Sequence, residues 1–177
     1  VAAVSGALGA AMFAMAVNYT RGEKFKAVAE LMDRTAAELD RARAMFLELM
    51  NEDMAAFAQW QSAWRMDKAD PARAEALKVA TATAIAVPQE MAALCLNLLA
   101  LIAEAIDGVN PRLLSDVGVA AVTLESAMRA AHYNVRTNLS SLESAEEAAA
   151  LRAELASQVE RARGLLSRIE AKLASKF

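Results

Sequence analysis

The stretch from Lys24 to Met66 reads KFKAVAELMDRTAAELDRARAMFLELMNEDMAAFAQWQSAWRM and contains neither glycine nor proline. Within it, mostly apolar positions recur every three or four residues, the spacing of one face of an α-helix. These positions are Val28, Leu31, Thr35, Leu39, Ala42, Phe46, Leu49, Asp53, Ala56, Trp60 and Trp64. The stretch therefore predicts one unbroken helix, longer than most helices of globular proteins.

The rest of the chain is also typical of helices. Hydrophobic residues make up 56% of the 177 residues, but there are only six glycines and three prolines, too few for the turns of a many-stranded sheet. Cap and proline signals predict four further helices, with a kink or break between Ala84 and Pro88. They span Ala2–Thr20, Asp70–Ile106, Ser115–Leu139 and Ser144–Ser175. We predict an all-α bundle of about five long helices, forming a single domain over residues 1–177.

The segment Val1–Val17 carries no charged residue. It could be a membrane span or the apolar part of a signal peptide, but it is short for a span and no basic segment precedes it. We predict instead a central helix surrounded by protein, because a helix that is apolar all round must be buried. A bundle of this size rarely encloses one helix completely, so we expect an intertwined homodimer. The buried start also predicts that residues precede Val1.

Composition weighs against several classes of function. The net charge of −3 argues against a nucleic-acid binder. The single cysteine, Cys95, excludes an intramolecular disulfide and fits the reducing cytoplasm, and it follows an apolar repeat typical of a core position. The single histidine, His132, excludes an all-histidine zinc site and a Glu-x-x-His di-metal bundle. We therefore predict a protein that binds no metal, nucleic acid or membrane.

Asp53 is the one carboxylate on the apolar face of the long helix. An ionised carboxylate is costly to bury, so it must be paired, protonated or open to a pocket. One interpretation is structural: Asp53 caps a neighbouring helix or pairs with a lysine or arginine. The other is a general acid or base whose pKa is raised by its apolar surroundings.

The predicted fourth helix carries a face of small and polar residues beside an apolar face. The members of the small and polar face are Asp116, Ala120, Thr123, Ala127, Asn134 and Asn138. Such a face is what a ligand groove between helices requires. The alternative is close packing of small residues against another helix, with the two asparagines bonding to helix ends.

Several motifs, in order along the whole chain, resemble those of the cyclodeaminase/cyclohydrolase family of folate enzymes. Val1-Ala-Ala-Val-Ser-Gly-Ala-Leu-Gly-Ala10 resembles the segment that follows the family's Pro-Gly-Gly-Gly-Ser loop. Asn18-Tyr-Thr-Arg-Gly-Glu-Lys24 and Asp53-Met-Ala-Ala-Phe57 resemble the next two motifs. Asn110-Pro-Arg-Leu-Leu-Ser-Asp-Val-Gly-Val-Ala120 and Asn134-Val-Arg-Thr-Asn138 are the most specific pieces.

The resemblance implies an intertwined homodimer and an enzyme acting on a tetrahydrofolate derivative without a metal. As a methenyltetrahydrofolate cyclohydrolase it would hydrolyse N5,N10-methenyltetrahydrofolate to 10-formyltetrahydrofolate. The alternatives are a formiminotetrahydrofolate cyclodeaminase that releases ammonia, and a non-catalytic helical dimer that binds folate or a protein partner.

The same resemblance implies roles for individual residues. Asp53 and Asp116 would act as acid, base or cation-stabilising groups, and Lys24 and Arg136 would face the carboxylates or a carbonyl of the folate. The pterin would be bonded by a polar group of residues: Asn18, Ser115, Asn134 and Asn138. Because Arg136 lies roughly opposite Asp116 on the helix, these two could serve one site only across a dimer.

Overall fold

The computed structural model describes residues 1–176, in which five α-helices are joined by short turns and 3-10 helices. The helices are α1 (Ala2–Asn18), α2 (Ala29–Arg65), α3 (Arg73–Ala105), α4 (Leu114–Asn138) and α5 (Ala145–Ala174). No strand occurs in this part of the chain. The prediction of an all-α protein with about five long helices is confirmed.

The helix ends follow local chemistry, with small shifts from the predicted boundaries. α2 begins at Ala29 rather than Lys24, because Glu23–Val28 forms a 3-10 helix after Gly22, whose φ is +98°. The predicted cap of α5 is confirmed, since the Ser144 hydroxyl accepts a hydrogen bond from the backbone N–H of Glu147 at 3.1 Å.

Of the kink or break expected between Ala84 and Pro88, the break is wrong, because α3 runs through Pro88 as one helix. Proline has no N–H, so the carbonyl of Ala84, four residues earlier, lacks its usual helical donor. The side-chain amide of Asn138 on α4 donates to this carbonyl at 3.3 Å. A neighbouring helix therefore satisfies the backbone group that the proline leaves unpaired, and the helix continues.

Successive helices pack antiparallel to one another. α5 also runs parallel to α3, since Lys78 lies near Glu143 at their starts and Lys172 bonds to the Ala103 carbonyl at their ends. Gly6 of α1 faces the ring of Phe46 on α2, and Gly9 faces Leu124 on α4. α5 lies against α3 and α4, where His132 bonds to Gln158. Fully buried side chains from the first four helices fill the centre, among them Phe13, Phe46, Met32, Leu39, Leu99, Ile102, Leu124 and Met128. Cys95 is part of this core, as predicted, and burial raises the pKa of its thiol to about 12.

Within residues 1–176 of one chain α1 is not surrounded, so its burial on all sides, which the sequence expects from a homodimer, stays a prediction. Its inner face is buried against α2 and α4, but Val4 and Leu8 on the outer face are 47% and 57% exposed. Since α1 occupies one corner of the bundle, only part of its circumference can contact other helices of the same chain. Its uncharged sequence therefore leaves apolar side chains on the surface.

By length and composition, one helix in residues 1–176 could cross a membrane, and it spans Arg73–Gly108. Of its most apolar window, 61% is buried inside the bundle, as in the core helix of many proteins. The uncharged α1 is shorter than this helix.

Candidate active site

Asp53 opens into a cavity of about 420 Å³ between α2, α3 and α4. The cavity is lined by Asp53, Ala56, Phe57, Trp60, Ala84, Asn134, Thr137, Asn138 and Ser141. The Asp53 side chain is half-buried, and among residues 1–176 no hydrogen-bond donor or cation is paired with it. The interpretation of Asp53 as a helix cap or ion-pair partner therefore finds no support within the chain. The carboxylate is open to a pocket instead.

The aromatic end of the α2 face is more exposed than its periodicity predicts. Phe57 is 63% exposed, and Trp64 is exposed while Trp60 is half-buried. Gly6 of α1 faces Phe46, so within the described residues α1 packs against the part of α2 that precedes this aromatic end. The Trp60 and Trp64 rings stack at 5.4 Å with 11° between their planes, and Trp60 forms one wall of the cavity.

The two predicted asparagines of α4 both reach this cavity but have different surroundings. Asn138 is half-buried and donates to the carbonyls of Ala84, at 3.3 Å, and Asn134, at 3.0 Å. Its side-chain oxygen has no donor among the described residues. The Asn134 side chain is exposed and forms no hydrogen bond within residues 1–176. Asn138 thus bonds to backbone, but Ala84 lies in the middle of α3 and is not the helix end that the packing interpretation expected. The Asn138 oxygen and the whole Asn134 amide remain open to a ligand.

Asp116 does not line the cavity that contains Asp53. It lies in the first turn of α4, whereas Asn134 lies near the other end of the same helix. Eighteen residues at a rise of about 1.5 Å separate them by roughly 27 Å along the axis. The two carboxylates therefore occupy opposite ends of the bundle, and within one chain they cannot act on one carbon atom.

Three of the four remaining residues predicted from the motifs lie at the Asp116 end. The turn after α1 is fastened to the start of α4, because the Asn110 backbone N–H donates to the Thr20 hydroxyl at 3.0 Å. This contact brings three further predicted residues to that end: Asn18, Lys24 and Ser115. All three are exposed. The Lys24 ammonium lies 4.9 Å from the centre of the Phe25 ring.

Arg136 faces a different, smaller cavity of about 130 Å³ between α4 and α5. Its guanidinium carbon lies 5.9 Å from the centre of the Tyr133 ring, and Arg129, His132 and Arg163 line the same cavity. Arg136 is not among the residues around Asp53. The structure therefore separates the predicted residues into an Asp53 group, an Asp116 group and Arg136.

Sequence reasoning missed part of the cavity wall. Ala84 lies on α3, Thr137 on α4 and Ser141 in the 3-10 helix that follows α4. Thr137 falls inside the Asn134–Asn138 motif, so its position carried a signal. Ser141 carried none, because it lies beyond the predicted end of the helix and only the turn into α5 directs it to the cavity.

Fold and cavity together define an all-α bundle in which an unpaired carboxylate and two amides line a pocket between helices. Residues 1–157 match the family model described as formiminotransferase-cyclodeaminase. The chain belongs to this family, which confirms the resemblance seen in its motifs.

Individual relatives agree with the family match. The chain is 29% identical over 147 residues to methenyltetrahydrofolate cyclohydrolase of Methylorubrum extorquens, covering 80% of this chain and 71% of that protein. It is 34% identical over 144 residues to formimidoyltransferase-cyclodeaminase of Mus musculus, covering 78% of this chain and 27% of that protein. The chain thus corresponds to about a quarter of the longer mouse protein.

A solved structure has the same fold. The crystal structure of formiminotetrahydrofolate cyclodeaminase from Thermotoga maritima superposes with a TM-score of 0.85 at 23% sequence identity. The match covers 98% of this chain and 85% of that one. At this identity the likeness concerns the fold alone.

Proposed function

We propose that this chain is a methenyltetrahydrofolate cyclohydrolase, which hydrolyses N5,N10-methenyltetrahydrofolate to 10-formyltetrahydrofolate. The observation that carries the proposal is the unpaired Asp53 carboxylate in a cavity with Asn134 and Asn138. The substrate carries a positive charge on its amidinium group, and a carboxylate in a partly desolvated pocket stabilises such a charge. The name of the bacterial relative, of which the chain covers most, agrees with this reaction.

In the proposed reaction, Asp53 acts first as a general base and then as a general acid. It takes a proton from water as the oxygen attacks the amidinium carbon between N5 and N10. The tetrahedral adduct then opens: the carbon–N5 bond breaks, Asp53 returns its proton to N5, and the adduct hydroxyl loses its proton to solvent as the formyl C=O forms. The sum is one water consumed and one proton released, with the formyl group left on N10.

The alternative reaction is cyclodeamination of 5-formiminotetrahydrofolate, and the names of the mouse and Thermotoga relatives favour it. There N10 attacks the formimino carbon and ammonia leaves. The same carboxylate would move the proton from N10 to the leaving nitrogen. Release of ammonia from the formimino substrate distinguishes this reaction from hydrolysis.

The exposed apolar strip of α1 supports the homodimer that the sequence predicts. Val4 and Leu8 on α1 lie beside exposed Leu47 on α2, and exposed Val119 and Val122 belong to the adjoining α4. The groove beside Val4, Leu8 and Leu47 also contains Asp40 and Arg43, and exposed apolar residues grouped in this way favour an interface. If the two-fold axis of the dimer crossed α4 near its middle, the α4 helices of the two chains would run antiparallel across the interface. Residues of α4 that are equally far from the axis would then face each other, so the partner's Asp116 would lie beside Asn134. The dimer would thus unite the two groups of predicted residues.

The activity test follows the ultraviolet band of methenyltetrahydrofolate. We expect the protein to speed the loss of this band over buffer, and Asp53→Asn to lower kcat by about a hundredfold or more, the usual contribution of acid-base catalysis. Glu52→Gln is the matched control, because Glu52 is the exposed neighbouring carboxylate on α2. Full turnover by a folded Asp53→Asn variant would remove Asp53 from the mechanism.

Mixed dimers test whether the site is shared between chains. If Asp53 and Asp116 act from different chains, co-expressed Asp53→Asn and Asp116→Asn chains restore about a quarter of the wild-type activity. Random pairing makes half of the dimers mixed, and each mixed dimer has one intact site. Absence of any recovery in verified mixed dimers, or a monomer by light scattering, would contradict the shared site.

A further inference from the structure

A second cavity, of about 530 Å³, adjoins the one that contains Asp53. Trp60 and Ser141 line both cavities, so the two meet at the turn between α4 and α5. The wall of the second cavity consists of Trp60, Trp64, Arg73, Ala74, Leu77, Lys78, Thr81, Ala82, Ser141, Leu142, Glu143, Ser144 and Glu147. Neither the family motifs nor the reaction proposed above uses this space.

The two tryptophans give the second cavity aromatic surface, and because they stack on each other, each ring keeps one face that the other does not cover. Their rings lie 5.4 Å apart and nearly parallel, and Leu77 and Leu142 add apolar surface. An aromatic ring of a ligand gains stacking energy against such a surface. Because Trp60 and Ser141 line both cavities, a ligand bound beside Asp53 can extend past Trp60 into the second cavity.

Arg73 provides a cation that lacks a counter-ion. Its guanidinium carbon lies 5.4 Å from the centre of the Trp64 ring, which fixes the plane of the group. One Nη donates to the Trp64 carbonyl at 3.4 Å, and Nε is buried without a hydrogen-bond partner. No carboxylate within residues 1–176 is ion-paired with Arg73. The guanidinium therefore still has N–H groups that can donate to a carboxylate.

Two acidic residues also line the second cavity, but neither neutralises Arg73. Glu143 lies 3.8 Å from Lys78, and both of these side chains are largely exposed. Glu147 lies in the first turn of α5, where its negative charge interacts favourably with the positive end of the helix dipole. The charge available to a bound anion is thus that of Arg73.

We propose that the second cavity binds the p-aminobenzoylglutamate part of a folate, with the benzoyl ring on Trp60 and a glutamate carboxylate on Arg73. The inference rests on the proposed function, because it presumes that the reacting end of the folate lies beside Asp53. In a folate the reacting carbon is bonded to N10, which is bonded to the benzoyl ring, and the glutamate follows. The two joined cavities present a carboxylate, an aromatic wall and a cation in that same order.

Intrinsic fluorescence tests this assignment without any turnover, because Trp60 and Trp64 are the only tryptophans in the chain. The probe is p-aminobenzoylglutamate, added with excitation at the red edge of the tryptophan band. We expect it to quench the emission saturably, with Arg73→Gln weakening binding ~10-fold, as for loss of a hydrogen bond to a charged group. Arg73→Lys keeps the charge but not the planar donors, so its affinity for the probe should lie between those of the wild type and Arg73→Gln.

Matched controls separate this site from general binding. Arg161→Gln removes an exposed arginine of α5 that is outside the cavity and should bind like the wild type. p-Aminobenzamide has the same ring and amide but no carboxylate, so it should bind equally to the wild type and Arg73→Gln. The assignment is overturned if the probe fails to quench, or if folded Arg73→Gln and Arg73→Lys proteins bind it as tightly as the wild type.

Turnover of two substrates then connects the cavity to the reaction. Arg73→Gln should raise KM for methenyltetrahydrofolate ~10-fold with little change in kcat, because the lost contact is far from the reacting carbon. It should leave the kinetics of the neutral amide of methenyltetrahydropteroic acid, which has no carboxylate, unchanged. An equal effect on both substrates contradicts the assignment. If neither substrate is turned over while binding of the probe depends on Arg73, only the proposed function fails.

Discussion

Asn138 offers a way to separate a structural role from a ligand-binding role at one residue. Its amide donates to the Ala84 carbonyl at 3.3 Å, and that carbonyl is unpaired within α3 because the residue four positions later is Pro88. A hydrogen bond to an otherwise unsatisfied buried group contributes about 1 kcal/mol to the free energy of unfolding. We therefore expect Asn138→Ala to lower that free energy by about 1 kcal/mol.

The partner mutation supplies the missing donor. In Pro88→Ala the backbone N–H of residue 88 can pair with the Ala84 carbonyl, so the Asn138 amide is no longer needed there. In that background Asn138→Ala should cost close to nothing, apart from its second bond to the Asn134 carbonyl at 3.0 Å. The double-mutant cycle should give a coupling energy of about 1 kcal/mol.

Urea unfolding followed by circular dichroism measures all four proteins, at one fixed protein concentration because a dimer would make stability concentration-dependent. Asn134→Ala is the control, since its side chain is exposed and forms no hydrogen bond within residues 1–176. An Asn138→Ala cost that is equal in both backgrounds would refute the reasoning. Loss of folate binding in both backgrounds would assign the Asn138 oxygen to the ligand.

Two further predictions concern stability. Gly6→Ala should destabilise the protein by about 1–3 kcal/mol, because a Cβ there would lie 2.4 Å from the buried Phe46 ring. Gly164→Ala should stabilise it by about 0.5–1 kcal/mol, since the position is helical and no atom beyond the helix's own backbone lies within 4 Å of an added Cβ. Thermal unfolding measures both variants, and shifts of the same sign would contradict the packing argument. Burial lowers the pKa of His132 from 6.5, so the folded state resists protonation that the unfolded chain accepts. Stability should be constant above about pH 6.5 and fall as the pH drops below it, and His132→Gln should reduce this slope in urea titrations at several pH values.

The helices could be predicted from the sequence because their signals are local. The three-to-four spacing over Lys24–Met66 and the Ser144 cap depend on neighbours within a few residues, and both correspond to helices in the structure. The expected break at Pro88 failed for the opposite reason. Its correction comes from Asn138, which is fifty positions away in the sequence and adjacent only in the folded protein.

Several expectations from the sequence stay predictions: the single domain, the homodimer, the cytoplasmic location, and the absence of metal, nucleic-acid and membrane partners. The roles of the predicted site residues, from Asp53 to Arg136, likewise await the experiments above. What supports these roles is where each residue lies. Asp53 and the two asparagines line one cavity, Asp116 lies at the other end of α4, and Arg136 lines a separate cavity.

By itself, the sequence determined that the chain is helical, which family it resembles, and that Asp53 interrupts an apolar face. Periodicity assigns a residue to a face of its own helix, so Asp53 and Asn134 could each be recognised as unusual. Only the tertiary structure decided that these two share a cavity and that Asp116 lies at the far end of the bundle. The reason is that which residues of two packed helices are in contact depends on the axial offset between the helices. That register is set by close contacts such as Gly6 on Phe46, which no single helix encodes.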